Sequence, residues 1–205
     1  NYDLNNDRLR GKQLHSLRVM DISKQIAENL GLSQEEIKIA TLIGLLHDIA
    51  RFGQYTKYQT FRDIDSIDHG DFGEEILDKE IRKYIETNKF DEIIKKAVRN
   101  HNKYKIQDGL TEKEKMFAQI VRDADKIDIF YEAVEFFWKD REYKVEESTI
   151  SEETVEQFRL LEQIQTKKDR KIENPVNDVI KIIAFIFDLN YKPSFEILRK
   201  NDYIN

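Results

Sequence analysis

Cysteine is absent from the 205-residue chain. That excludes a disulfide scaffold, thiolate metal sites, iron–sulfur ligation and a cysteine nucleophile together. Proline occurs twice and glycine seven times, so few residues interrupt regular backbone. Long apolar runs are missing as well: residues 182–187 form one of the longest, far below the roughly 18 needed to cross a bilayer. No membrane association is expected, no segment has a signal-peptide pattern, and a cytoplasmic location is the expectation. Basic charge is not in excess, with 34 Lys and Arg against 40 Asp and Glu and a net charge of −6. A nucleic-acid duplex, which requires a basic face, is therefore not an expected partner.

What is present is a dense charge of both signs, 36% of residues, alternating with 40% hydrophobic residues at three- and four-residue spacing. That pattern predicts an all-α protein. A chain of this length can bury roughly 70% of its extended surface, and no linker rich in Pro, Gly or Ser divides it. A single domain over 1–205 is expected, with additional C-terminal helices from 151–205 packed on it. The first helix should carry Leu14, Leu17, Ile22, Ile26 and Leu30 and stop at Gly31. Ser33 and Glu36 have capping-box spacing before Ile37, Ala40, Ile43 and Leu46, and this helix should end near His47 and Asp48. Periodicity breaks over residues 51–69, predicting a long ordered loop. Helices should resume at Asp71, with Ile76, Ile81 and Ile85, and at Asp91 as a cap. The longest begins at Thr111, which forms a second capping box with Glu114, and runs to about Trp138. A charged connector over 140–151 should lead to helices from Thr154 to Gln165, from Asn174 and Pro175 through Leu189, and from Pro193.

Chemistry concentrates on four histidines: His15, His47, His69 and His101. His47 and Asp48 end an apolar helix, where adjacent polar groups are costly to bury unless something satisfies them. A cation would do so, and nitrogen with carboxylate oxygen suits Fe, Mn, Zn, Ni or Co rather than Ca. An isolated His-Asp pair is weak evidence for this, and a helix C-terminus with a stabilised His and a solvated carboxylate accounts for it better.

The order of motifs carries more. His15 in His-Ser-Leu-Arg-Val precedes Leu45-Leu46-His47-Asp48-Ile49-Ala50-Arg51-Phe52, and Asp123-Ala124-Asp125-Lys126-Ile127-Asp128 follows late. Between them stand Asp68-His69-Gly70-Asp71 and Asn100-His101. This series resembles the HD-domain superfamily of metal-dependent phosphohydrolases, over residues 14–129. The resemblance implies a helical bundle holding one metal with His15, His47, Asp48 and Asp125. It implies a second metal on His69 and His101, with Asp48 bridging. Two divalent transition-metal ions, or Mg, would then present a hydroxide to a phosphate ester while neutralising its oxygens. Among the three late aspartates the family pattern favours Asp125, with Asp128 either orienting a ligand histidine or merely polar. Asp48 is both ligand and catalytic residue on this reading. Arg51 and Lys126 are candidate catalytic cations for a phosphate oxygen, and Gln54, Lys57, Arg62, Asn102, Lys103 and Tyr104 lie nearby in sequence.

The Gly-Tyr-Pro signature of cyclic-dinucleotide phosphodiesterases is absent, as is the Glu-Asp pair of alarmone hydrolases after the His-Asp motif. The remaining resemblance is to small stand-alone bacterial HD proteins, and it implies a nucleotide or another small phosphate ester as substrate. The same six ligands also resemble those of HD-fold di-iron oxygenases such as myo-inositol oxygenase. A non-catalytic ligand-sensing module is the third reading.

Overall fold

The computed structural model describes residues 2–3, 5–137, 149–164 and 175–201. Trp138, Gln165, Asn174 and most of the expected connector lie outside the described residues. Among the described residues every regular element is helical, and no helix is long and apolar enough to cross a membrane. The chain divides into two compact units, Asn1–Asp125 and Lys126–Asn205.

The first unit opens with α1 (Asp7–Asn29), whose start is fixed by the Asn6 side chain accepting from the Arg8 and Leu9 amides. Gly31 adopts φ +71° just beyond its end, a conformation that a β-carbon disfavours. The buried residues of α1 are Leu9, His15, Ser16, Val19, Ser23, Ile26 and Ala27. Leu14 and Leu17, expected on the apolar stripe, are instead exposed. The helix turns a partly polar face inward because His15 occupies that face.

Ser33 and Glu36 form the expected capping box and open α2 (Gln34–Leu46). Helix α2 packs along α1, and Gly44 permits the close approach. A β-carbon there would lie 2.6 Å from Ser23 Oγ and 2.8 Å from the Val19 carbonyl oxygen. Val19, Ile26 and Ile43 are fully buried, and each such side chain stabilises the fold by about 1.5–3 kcal/mol.

Residues 51–58 are not loop. They belong to α3 (Ile49–Tyr58), which ends at Gln59 in a left-handed conformation. Its buried residues are Ala50 and Gln54, so no apolar period announces it. The buried amide of Gln54 is satisfied by donating to Asp63 Oδ1, Ser66 Oγ and the Ile67 carbonyl, each at 2.9 Å. A short 3₁₀ turn, Asp63–Asp65, follows.

Helix α4 (His69–Glu80) begins at His69 because Asp68 accepts from the Gly70 and Asp71 amides. It tightens into a 3₁₀ turn at Ile81–Lys83, so Ile85 is not part of it. Helix α5 (Asp91–Asn100) packs against α4. Its cap position is Phe90, without a side-chain cap. Asp91, expected as the cap, is the first helical residue and pairs with Arg82. The Thr111 and Glu114 box opens α6 (Glu112–Glu132) as expected, and the boundary between the units falls within α6 after Asp125.

In the second unit α6 ends in a π-helical turn at Ala133–Phe137. Ser151 caps α7 (Glu152–Arg159), and its amide donates to Asn177 Oδ1 at 3.0 Å on α8 (Pro175–Ala184). A 3₁₀ turn, Phe185–Asp188, leads towards α9 (Lys192–Lys200). The Phe158 and Phe187 rings meet edge-on at 5.3 Å.

Candidate metal centre

Four imidazoles and two carboxylates converge in the first unit. His15 comes from the middle of α1, His47 from the C-terminal cap of α2, and His69 from the first residue of α4. His101 caps the C-terminus of α5, and Asp48 precedes α3. Asp125 lies on α6. The four histidines and Asp48 are each no more than 5% exposed.

The cluster has two halves. His15 Nε2 lies 3.2 Å from His47 Nε2 and 3.1 Å from Asp125 Oδ1. His69 Nε2 lies 3.0 Å from His101 Nε2. Asp48 stands between them. Its Oδ2 is 3.6 Å from both His15 Nε2 and His47 Nε2, and its Oδ1 is 3.5 Å from both His69 Nε2 and His101 Nε2.

For His47, His69 and His101 the far side of the ring fixes the tautomer. His47 Nδ1 donates to the Gly44 carbonyl at 2.7 Å and His101 Nδ1 to the Val98 carbonyl at 2.6 Å. His69 Nδ1 donates to Asp63 Oδ2 at 2.5 Å. With those protons committed, the Nε2 lone pairs of His69 and His101 face each other across 3.0 Å. Facing lone pairs repel until a proton or a cation takes the space between them. The donor set, neutral imidazole nitrogen with carboxylate oxygen, fits a divalent transition metal, and the hydrogen-bonded outer nitrogens are the arrangement metal-ligating histidines need.

Burial pushes His47 down to about 3, against the pull of Asp48 and Asp125. Burial likewise pushes His69 down to about 4 despite its bond to Asp63. Burial would raise Asp48, but the Lys12 ammonium, His47 and the Arg51 guanidinium hold it well below the usual carboxylate range. Asp125 is also held below that range, burial being outweighed by the His15 hydrogen bond and the neighbouring imidazoles.

A pH dependence follows. In the unfolded chain these histidines protonate near 6.5, whereas folded His47 and His69 stay neutral down to about 3 and about 4. The unfolded state therefore takes up protons first. The stabilisation is complete above pH 6.5 and is lost as pH falls towards the folded values, at about 1.4 kcal/mol per pH unit for each histidine. Urea unfolding in excess chelator should show the midpoint falling steadily from pH 6.5 to 4.5, and a flat profile would contradict the assignment.

The family model for the HD domain matches residues 14–129, more than half the chain. The chain belongs to the HD-domain family. The superfamily consists mostly of metal-dependent hydrolases. No curated protein matches the chain, and no solved structure does.

Within this HD domain Arg51 stands beside the centre. Its Nε is 3.4 Å from Asp48 Oδ1, and its Nη1 donates to Asp63 Oδ1 at 2.9 Å and to the Phe61 carbonyl. Lys126 is placed with its ammonium 2.9 Å from Asp188 Oδ2 and over the Phe185 ring. Lys57 lies over the Tyr58 ring and Arg62 pairs with Asp65. Lys103 pairs with Asp68 and Asp71.

Three residues at the centre carried no sequence signal of their own. Lys12 donates to Asp48 Oδ2 at 3.0 Å, and only its position three residues before His15 on one helix face hints at this. Asp63 holds His69 from a loop. Arg122 donates to the carbonyls of Asn100, His101, Lys103 and Tyr104, pinning the turn that bears His101.

Proposed function

We propose that this HD domain is a metal-dependent phosphohydrolase of nucleotides or other small phosphate esters. We further propose that His15, His47, Asp48 and Asp125 hold one divalent cation while His69, His101 and Asp48 hold a second. The observation that carries the reading is the Asp48 carboxylate, with one oxygen equidistant from each imidazole pair. Such a carboxylate suits a bridge between two ions. A pair of cations in this position supplies activation of water and neutralisation of the phosphoryl oxygens that gain charge in an in-line displacement.

The remaining roles fall to the chain's own groups. Asp48 and Asp125 provide fixed negative charge, and the buried imidazoles of His47 and His69 are neutral at neutral pH and offer lone pairs. Arg51 is 15% exposed, and its planar fork suits a phosphate oxygen at the edge of the centre. Lys126, adjacent in sequence to Asp125, is proposed as a further cation for the substrate, which requires its ammonium to exchange Asp188 for phosphate.

The reading is tested by loading metal-stripped protein anaerobically with Mn²⁺, Co²⁺ or Fe²⁺ and measuring phosphate release across a panel of nucleotides and sugar phosphates. Metal-dependent release without oxygen is expected. No release above the metal-free level would overturn the hydrolase reading, and oxygen uptake confined to the iron-loaded protein would replace it with the oxygenase.

A further inference from the structure

Asp63 lies outside every motif that marks the centre, yet its carboxylate joins three parts of the first unit. Oδ1 accepts from Arg51 Nη1 and from Gln54 Nε2, each at 2.9 Å, both on α3. Oδ2 accepts from His69 Nδ1 at 2.5 Å at the start of α4, and from Asn102 Nδ2 at 3.2 Å just beyond α5. The backbone backs this arrangement. A β-carbon on Gly70 would lie 2.3 Å from Asn102 Oδ1 and 2.5 Å from the Arg99 carbonyl oxygen, so the α4 terminus and the turn after α5 are pressed together beside Asp63. The partners of Oδ1 and Oδ2 are all donors, which only an ionised carboxylate satisfies on both sides.

We propose that Asp63 is the positioning residue of the second half-site: it locks His69 in the Nδ1–H tautomer, which leaves Nε2 bare towards His101, and it holds Arg51 from the same carboxylate. This rests on the two-ion reading above. It adds that cation loading at His69 and His101 and the placement of Arg51 share one anchor. An imidazole has one proton when neutral, so whichever nitrogen the outer partner engages decides what the inner nitrogen offers. An amide at position 63 cannot serve both sides. If its NH₂ faces His69, Nδ1 must become the acceptor, and the proton moves to Nε2 and blocks the cation. If its oxygen faced His69, its NH₂ would meet the charged guanidinium of Arg51 and the amide of Gln54, the costlier clash, so the first arrangement applies.

The test combines ¹⁵N NMR of the histidine rings in metal-free protein with Mn²⁺ titration of wild type, D63N and D63E. The wild type should show His69 as the Nδ1–H tautomer. In D63N the proton should shift to Nε2, and the weaker Mn²⁺ dissociation constant should rise about 10- to 100-fold with the tighter one unchanged. D63E keeps a carboxylate acceptor and should retain the wild-type tautomer. The proposal is overturned if D63N keeps Nδ1–H, if its tautomer shifts without weakening Mn²⁺, or if D63E behaves like D63N. Should D63N not fold, D63A replaces it, with a mixture of both tautomers expected and an unchanged Nδ1–H form counting against the proposal. A wild type that binds a single Mn²⁺ sinks the two-ion reading, while the ring spectra still decide whether Asp63 sets the tautomer.

Discussion

Replacing Asp48 with alanine should abolish binding of both cations, and kcat/KM for any phosphate ester turned over should fall by about 10³-fold or more. The reason is its place in the cluster. Every other ligand candidate serves one half, whereas the two oxygens of Asp48 lie within 3.6 Å of all four Nε2 atoms. Its removal also leaves Lys12 and Arg51, which now flank the carboxylate, as net positive charge facing the site where cations must enter. The comparison that isolates this effect is the double variant H69A/H101A, which removes one imidazole pair and leaves His15, His47, Asp48 and Asp125 intact. Metal content per chain, measured by mass spectrometry after anaerobic purification, should be near two in wild type. It should be about one in the double variant and near zero in D48A. D48A protein that keeps one equivalent would show that the halves bind independently and that Asp48 does not bridge.

The second large effect concerns stability. Arg122 is 1% exposed and among the largest fully buried side chains. Its guanidinium donates to the carbonyls of Asn100, His101, Lys103 and Tyr104 at distances of 2.5–3.5 Å. Asn100 and His101 belong to the end of α5, where carbonyls lack helical partners, Lys103 and Tyr104 lie in the turn beyond it, and a cation here also suits the negative end of the helix dipole. Arg122→Met fills much of the volume but donates nothing. With two buried and two half-buried acceptors losing this donor, the loss should be about 3–5 kcal/mol, measured by urea unfolding in chelator. Arg122→Lys should fall between, since one ammonium cannot reach all four oxygens in the same geometry. An R122M variant within 1 kcal/mol of wild type would mean that the turn after α5 supports itself.

The helical class, the Gly31 stop and both capping boxes were readable because each rests on local chemistry between residues three or four apart. The six ligand candidates were readable through the order of their motifs, and the structure brings all six together. Where the reading failed, the reason is specific. Helix α3 reads as loop in the sequence because its buried face holds Gln54, whose amide is satisfied by Asp63, Ser66 and Ile67, and hydropathy does not register such a face. Leu14 and Leu17 fit the apolar spacing of α1, but the helix turns His15, Ser16 and Ser23 inward and leaves both leucines exposed. Asp63 and Arg122 act through partners up to 39 and 22 positions away, and no periodicity encodes contacts of that kind.

The two imidazole pairs share one more property: in each, the histidines are 32 positions apart, and each pair belongs to two helices that pack on one another, α1 with α2 and α4 with α5. Closing a loop of that length opposes folding by only roughly 3 kcal/mol, so each pair can be brought together within its own helical hairpin. As the chain leaves the ribosome, the residues of the first pair and Asp48 emerge before α4, those of the second pair next, and Asp125 last. The candidate metal centre is thus laid out along the polypeptide as two helical hairpins, with Asp48 between them and Asp125 after them.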